Sequence, residues 1–137
     1  MADGKLLLEI VTPDRRALST EVDEVRAPGL QGGFGVRTGH TPFLSALRPG
    51  ELVYVAGGAE HHLAIGTGFA QVSDNRVLVL TELAERPEQI DVARAQSDAA
   101  SATQELTTAT NLDDATYELR RAEVERAAAR ISVARHV

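Results

Sequence analysis

The order of apolar and polar residues divides the chain into two architectures. Up to about residue 86, short apolar runs alternate with turn-forming residues, a pattern typical of β-strands. All 11 Gly and all 5 Pro lie at or before Pro87, whereas the last 50 residues contain neither and hold 12 Ala. Because Gly and Pro interrupt regular elements and Ala favours helix, the sequence predicts a strand region over 1–86 and a helical region over 87–137.

Five strands follow from the apolar runs of the first region. The pairs Gly57-Gly58 and Asp74-Asn75 stand between apolar runs, as hairpin turns do. Short strands separated by such turns are typical of a β-sandwich or a β-barrel. Residues 29–39 hold five Gly in 11 positions, and we expect a loop or irregular strand ends there. The predicted strands are residues 6–11, 51–55, 62–65, 69–72 and 76–80.

Two helices are predicted in the second region. The first runs from about Pro87 to Ala109, and the second ends near Arg135. Residues 110–112 connect them, and Asp113 or its neighbour Asn111 is placed to cap the second helix. A tight connection between two helices favours an antiparallel hairpin. Since Ala side chains bury little apolar area, this hairpin is expected to be weakly held and able to detach.

Composition excludes several classes of protein. The formal net charge is −6, with 14 basic and 20 acidic residues, so nucleic acid is not the expected partner. The chain has no Cys, which excludes disulfides, thiolate metal sites and cysteine nucleophiles. No apolar run approaches the roughly 20 residues that span a bilayer, and the first residues do not resemble a signal or transit peptide.

Three segments resemble the ε subunit of bacterial F-type ATP synthases. Residues 32–50, GGFGVRTGHTPFLSALRPG, resemble the family's G-x-x-G-v-x-p-G-H-x-P-l-l-x-x-l-k-P-G pattern. Residues 68–72, GFAQV, resemble a strand of that family, and residues 130–134, RISVA, resemble its closing helix. Thr38 stands where many members have Pro, and Thr67 replaces the first Gly of the strand motif. The order of elements in the family agrees with the pattern above: an N-terminal β-sandwich followed by a C-terminal antiparallel two-helix hairpin.

The resemblance implies a non-catalytic rotor subunit in the central stalk of a proton-translocating F-type ATP synthase. The sandwich would contact the γ subunit and the c-ring, and the hairpin would either pack on the sandwich or extend along γ. In the extended state it would meet the α/β catalytic head and inhibit ATP hydrolysis. The implied location is peripheral, on the cytoplasmic side of the bacterial inner membrane. The residues expected to form the rotor contact loop are Gly29, Gly32, Gly33, Gly35, Gly39 and His40.

A second motif implies a nucleotide site. Residues 90–95, IDVARA, resemble the I/L-D-x-x-R-A motif of ε subunits that bind ATP. Arg side chains offer a planar fork that suits phosphate oxygens, and Asp91 would accept hydrogen bonds from adenine or ribose. Ser101 departs from the motif, because such ATP binders often carry another Arg there. The implied ATP-binding residues are Glu85, Ile90, Asp91, Arg94, Ala95, Arg126 and Arg130.

The same residues also admit a purely structural interpretation. Asp91 and Arg94 are three apart and would then form an ordinary surface pair on one helix. Arg126 and Arg130 would pair with a nearby Glu of the hairpin, 123 or 125, or with a carboxylate of the sandwich. ATP is therefore a candidate regulatory ligand only, and no required cofactor is predicted. In the extended state the hairpin's arginines would face acidic segments of the catalytic head.

Two other classes of function are weighed against this one. His61 and His62 are adjacent in a strand, so they face opposite sides and do not share an ion. A small β-barrel enzyme would need both of them to converge with His40 on a metal; we predict no metal site and no catalytic residue. His136 is expected at a disordered terminus. The remaining alternative is an unrelated β-sandwich interaction module.

Overall fold

Two β-sheets stack face to face and carry a helical hairpin in the computed structural model, which describes residues 4–108 and 112–136. This architecture confirms the predicted fold class. The strands are β1 (Leu6–Val11), β2 (Arg16–Val22), β3 (Glu24–Ala27), β4 (Phe34–Arg37), β5 (Phe43–Leu47), β6 (Gly50–Ala56), β7 (Ala59–Ile65), β8 (Gly68–Ser73), β9 (Arg76–Thr81) and β10 (Ala84–Glu85), and the helices are α1 (Val92–Thr108) and α2 (Asp114–Ala134).

The two sheets have five strands each. The first sheet has the order β2-β1-β9-β8-β5, and the second has the order β10-β7-β6-β3-β4. Neighbouring strands are antiparallel except β1 and β9, which run parallel. Alternate residues of each strand face the other sheet, as the period of two requires. The largest fully buried side chains between the sheets are Leu6, Leu8, Ile10, Val22, Val25, Val36, Leu47, Leu52, Ile65, Val72, Val77 and Val79.

Both predicted hairpin turns are present. Gly57 and Gly58 have φ of +61° and +78°, and Asp74 and Asn75 have φ of 51° and 58°. These left-handed pairs match the twist of the strands that they join, β6 to β7 and β8 to β9. The turns therefore fix the register of two hairpins.

Gly68 begins β8 at a point where two backbones nearly touch. A Cβ atom at this position would lie 1.9 Å from the carbonyl oxygen of Leu80 and 2.8 Å from the Cα of Thr81. Any side chain would therefore force β8 away from β9, since contacts below 3.0 Å do not occur for real Cβ atoms. The start of β8 thus requires glycine for space rather than for a special backbone angle.

The Gly-rich segment is more ordered than a plain loop. Within residues 29–39, β4 pairs antiparallel with β3, which places Phe34 opposite Ala27. Gly29 forms an isolated bridge with Leu47 of β5. The prediction of irregular strand ends is therefore closer to the structure than the prediction of a loop.

The helical region begins later than its composition indicates. Residues Pro87–Gln89 form a single 3-10 turn, Ile90 is extended, and α1 starts at Val92. The predicted start at Pro87 is wrong, because the extended backbone of Ile90 ends that short turn before α1 begins. Asp113 caps α2, as predicted: its side chain accepts a hydrogen bond of 2.7 Å from the Thr116 amide. The predicted connection at residues 110 and 111 lies outside the described residues, as does the helix end at Ala109.

Ion pairs between the helices show that the hairpin is antiparallel. Arg120 near the start of α2 pairs with Glu105 near the end of α1, and Arg130 lies 3.7 Å from Asp98, farther back along α1. The helices approach closely because their facing side chains are small: Ala95 and Ala102 on α1 are buried.

The hairpin docks on the second sheet through α2, which contacts β6 and β7. The apolar part of this junction is small and consists of Ala64, Ile90, Ala129 and Val133, with Ala134 partly buried beside them. This cluster is separate from the core between the sheets. Such limited apolar burial supports the expectation that the hairpin is weakly held.

Candidate functional site at the hairpin junction

Among the residues that the structure describes, three ion pairs surround the apolar junction and join α2 to the sandwich. Arg130 Nε lies 2.7 Å from Glu85 Oε1, and Arg126 Nη1 lies 2.9 Å from an oxygen of Glu82. At the other end, Arg48 Nη2 lies 2.5 Å from Glu125 Oε1. The Arg130–Glu85 pair is the most enclosed, with 16% and 19% of the two side chains exposed.

The hydrogen bond from Arg48 to Glu125 also raises the pKa of the Arg48 guanidinium, with a smaller Coulombic contribution from the same carboxylate. The Arg48 guanidinium therefore stays charged beside Glu125. This pair is solvent-exposed at Arg48 and is screened by salt, so its contribution to docking is modest.

Asp91 caps the start of α1 in this conformation. It precedes α1, and its Oδ1 accepts a hydrogen bond of 3.0 Å from the Arg94 amide. The expectation that Asp91 and Arg94 share a helix face is therefore wrong, because α1 begins only at Val92 and Asp91 caps it. The Arg94 side chain is 73% exposed and lies 3.8 Å from Asp98.

The residues of the implied ATP site do come together at the junction. A cavity of about 310 Å³ is lined by Leu83, Asp91, Arg94, Asp98, Arg126 and Arg130. Glu85 borders it through its pair with Arg130. Ile90 and Ala95, the neighbours in sequence of Asp91 and Arg94, are buried and do not line the cavity. Ser101 lines a second cavity, of about 230 Å³, farther along the cleft between the helices.

The arginines of this site already have acidic partners. The structural interpretation named Glu123, Glu125 or a sandwich carboxylate, and the partners of Arg126 and Arg130 are the sandwich carboxylates Glu82 and Glu85. Sequence reasoning missed Glu82, because residues 44 apart are joined only by the fold. Asp98 was also missed, although its spacing of four from Arg94 was a readable signal.

All six residues of the predicted rotor contact loop line one open depression of about 930 Å³. Three cationic side chains, Arg26, Arg37 and Arg48, and two acidic ones, Glu24 and Glu51, share its walls. Arg37 is 82% exposed and lies 2.6 Å from Glu24. Backbone hydrogen-bonding groups and charged side chains are thus both accessible in this depression.

A second surface was missed by sequence reasoning. The register of the first sheet places Phe69 between Leu80 and Ala46, and Leu44 lies on the same face two residues before Ala46. Leu44, Phe69 and Leu80 are 69%, 56% and 48% exposed. We call these three side chains the outer apolar face. The sequence carried a signal for this face, because these exposed apolar residues alternate with buried apolar residues along their strands. Such a strand is apolar on both faces, and both faces are then expected to be covered.

Comparisons with known proteins agree with this architecture. A family profile described as "ATP synthase, Delta/Epsilon chain, beta-sandwich domain" matches residues 5–87. The ATP synthase epsilon chain of Anaeromyxobacter sp. (strain K) is 55% identical over 129 residues, which cover 94% of this chain and 97% of that one. The ATP synthase epsilon chain of Nitratidesulfovibrio vulgaris (strain DP4) is 56% identical over 94 residues, which cover 69% and 70%.

Solved structures share the fold at lower identity. A chain of the Euglena gracilis mitochondrial ATP synthase OSCP/F1/c-ring structure superposes with a TM-score of 0.80 at 24% identity, covering 99% of this chain and 84% of that one. A chain of the Tetrahymena thermophila mitochondrial ATP synthase central stalk/c-ring structure gives a TM-score of 0.64 at 14% identity, covering 98% and 99%.

A β-sandwich with a docked helical hairpin, matched by this profile, defines a delta/epsilon-type subunit of a rotary ATP synthase. Within that class, the match to an ATP synthase epsilon chain over 94% of this chain and 97% of the relative indicates the epsilon type. The chain belongs to the ATP synthase epsilon chain family, which confirms the resemblance found in its motifs. Within residues 4–108 and 112–136, no helix is both long enough and apolar enough to cross a membrane.

Proposed function

We propose that this chain is a non-catalytic rotor subunit that joins γ to the c-ring in a proton-translocating ATP synthase, and that its hairpin is a brake on ATP hydrolysis. The observation that carries the proposal is the epsilon-chain match over 94% of the sequence, combined with a hairpin that docks through a small junction. Peripheral association with the cytoplasmic face of the bacterial inner membrane then follows from the complex.

The outer apolar face is the proposed docking surface for γ. Exposed contiguous apolar side chains on a sheet mark protein contacts more often than isolated ones do. The face lies on the first sheet, whereas the hairpin docks on the second. Binding to γ therefore leaves the hairpin free to move.

The rotor contact loop is the proposed contact with the c-ring. Its glycines expose backbone donors and acceptors, and the arginines around the depression supply positive charge. A polar loop of another subunit would pair with such groups. Since Gly33 has no side chain, we assign this contact to the loop as a whole.

The junction determines how readily the hairpin opens. In the docked state α2 is held by an apolar cluster of four residues, by three ion pairs and by the Ser132–Glu51 hydrogen bond, counted over the described residues. Opening exposes little apolar surface and releases Arg126 and Arg130, which would then face acidic segments of the α/β head. The same arginines thus stabilise the docked state in one conformation and bind the head in the other.

ATP is the proposed ligand that favours the docked state. Its phosphates would take the place of Glu82 at Arg126 and of Asp98 at Arg130, and Arg94 would turn into the cavity. The Arg126–Glu82 pair is partly exposed, with 37% and 46% of the two side chains accessible, so displacing Glu82 costs less than displacing the enclosed Glu85 would. The enclosed Arg130–Glu85 pair would stay and hold α2 in place.

Two measurements test these proposals. Copurification with γ tests the rotor assignment, and failure to associate would favour the unrelated interaction module. Calorimetric titration of ATP into wild type, Arg126→Ala and the control Arg135→Ala tests the nucleotide site. Saturable binding that only Arg126→Ala weakens supports the site. No heat up to millimolar ATP means that the arginines act only in ion pairs.

A further inference from the structure

Two histidines and a glutamate meet where the end of α2 lies on the second sheet. Glu51 is in β6, His62 is in β7 and His136 follows α2. The expectation of a disordered terminus at His136 is wrong: its ring stacks on His62 with centroids 3.5 Å apart and planes 3° from parallel. One potential ligand atom from each residue lies within 4.8 Å of the other two.

The carboxylate of Glu51 lies at the centre of this cluster. His62 Nδ1 is hydrogen-bonded to Glu51 Oε1, and His136 Nε2 lies 3.5 Å from the same oxygen. The second oxygen, Oε2, accepts a hydrogen bond of 3.1 Å from the Ser132 hydroxyl. The hydroxyl of α2 thereby fixes the orientation of the carboxylate, as outer groups do around metal ligands.

The far side of His62 also faces a carboxylate. Glu60 Oε1 lies 3.9 Å from His62 Nε2. Arg26 donates a hydrogen bond of 2.5 Å to Glu60. When the Nε2 proton of His62 is directed at Glu60, its Nδ1 can bind a cation in place of its hydrogen bond with Glu51.

We propose that Glu51, His62 and His136 bind a divalent transition-metal ion, with Zn²⁺ as the probe. Two imidazole nitrogens and one carboxylate oxygen are a ligand set that Zn²⁺ accepts with water in the fourth position. Bonds of about 2.0–2.2 Å place ligand atoms roughly 3–3.5 Å apart. The cluster needs only a small contraction, together with a turn of the exposed His136 ring out of its stack. Mg²⁺ is disfavoured, because it prefers oxygen ligands.

The site joins parts of the chain that only docking brings together. Glu51 and His62 belong to one hairpin of the sandwich, whereas His136 and Ser132 belong to the helical hairpin. A bound ion therefore stabilises the docked state, since an undocked α2 removes one ligand and the hydroxyl that orients another. That this also releases the brake on hydrolysis rests on the function proposed above; binding of the ion does not.

Calorimetric titration of Zn²⁺ into the full-length chain without an affinity tag tests the site. The control is His61→Ala, because His61 is adjacent to His62 but stacks on Tyr54 outside the cluster. We expect one ion per chain in wild type and in His61→Ala, at least tenfold weaker binding in His136→Ala, and no binding of Mg²⁺. Equal affinity in His136→Ala, or no saturable binding in wild type, would overturn the proposal.

Hydrogen exchange of α2 gives a readout that does not depend on the synthase. Zn²⁺ should slow exchange at the C-terminal turns of α2 in wild type and in His61→Ala, but not in His136→Ala. Exchange unchanged by saturating Zn²⁺ in wild type would show that the ion does not bridge the two parts. Both results are independent of whether γ binds the chain, so this proposal can fail while the rotor assignment stands.

Discussion

Single hydrogen bonds stabilise the starts of the two helices of the hairpin. Asp91 caps α1 and Asp113 caps α2, each with one carboxylate oxygen on the amide three residues ahead. The Thr116 hydroxyl and then its backbone amide lower the pKa of the Asp113 carboxyl. The ionised carboxylate of Asp113 is a better acceptor than its protonated form, so the strength of this cap varies with the protonation of Asp113.

This dependence gives a prediction for pH. Asp113 has a folded pKa below its unfolded value, so its stabilisation is complete above the ordinary Asp value of about 3.9 and disappears as pH falls through the folded pKa. An NMR titration should show the Thr116 amide shifting in that acidic range. Asp113→Asn should keep the helix start, because Asn caps equally well, but abolish this shift. The same shift in Asp113→Asn would contradict the assignment.

At the scale of residues, the sequence showed local partners and missed distant ones. Asp113 was recognisable as a cap because its acceptor role depends on residues three apart. Glu82 and Glu51 were not recognisable as partners of α2, because their contacts span 44 and 81 positions along the chain. His136 was misjudged for the same reason: its order comes from His62 and Glu51 rather than from its neighbours in sequence.

At the scale of elements, the junction under α2 is the part that a small change would loosen. Val133 is fully buried against Ala64, Ile90 and Ala129. Val133→Ala removes two carbons and should weaken docking by about 1.5 kcal/mol. Hydrogen exchange should then be roughly tenfold faster in α2. Exchange in the strands of the two sheets should not change, because the sandwich has its own core.

The matched control for this prediction is Leu119→Ala on the same helix. Leu119 is 56% exposed, so its truncation should leave exchange in α2 nearly unchanged. Equal acceleration by both substitutions would mean that α2 is held by its own helical stability rather than by the junction. Faster exchange in the sandwich as well would mean that the two parts unfold as one unit.

Turn chemistry explains which elements the sequence predicted. The strands on either side of Gly57-Gly58 and of Asp74-Asn75 were found, because the turns between them have recognisable residues. Strands β2, β3, β5 and β10 were missed, and β4 was expected only as a loop or irregular strand ends. Strand β2 is a mostly polar edge strand with the sequence RALSTEV, and β10 has only two residues. These elements depend on pairing with neighbours more than on their own pattern.

At the scale of the molecule, the outer apolar face and the rotor contact loop predict different partners, γ and the c-ring. The outer apolar face lies on the first sheet, away from the hairpin. Phe69→Ala should weaken binding to γ by tenfold or more, as loss of an aromatic anchor does, while the free subunit stays folded. Surface plasmon resonance with immobilised γ measures this change.

Tyr117→Ala provides the comparison, since Tyr117 is also exposed (46%) but lies on α2. The Tyr117→Ala variant should bind immobilised γ as tightly as the wild-type chain does. If Phe69→Ala binds γ as well as wild type does, the outer apolar face is not the docking surface.

In the proposed function, the sandwich attaches the subunit to the rotor while the hairpin inhibits hydrolysis. The most direct measurement is the ATPase rate of an assembly of α, β and γ from the same organism, with either the full chain or a chain truncated after Glu88. We expect both forms to bind, because the core between the sheets lies entirely before that residue. Only the full chain should inhibit hydrolysis; equal rates with both forms, or no binding of either, would contradict the account.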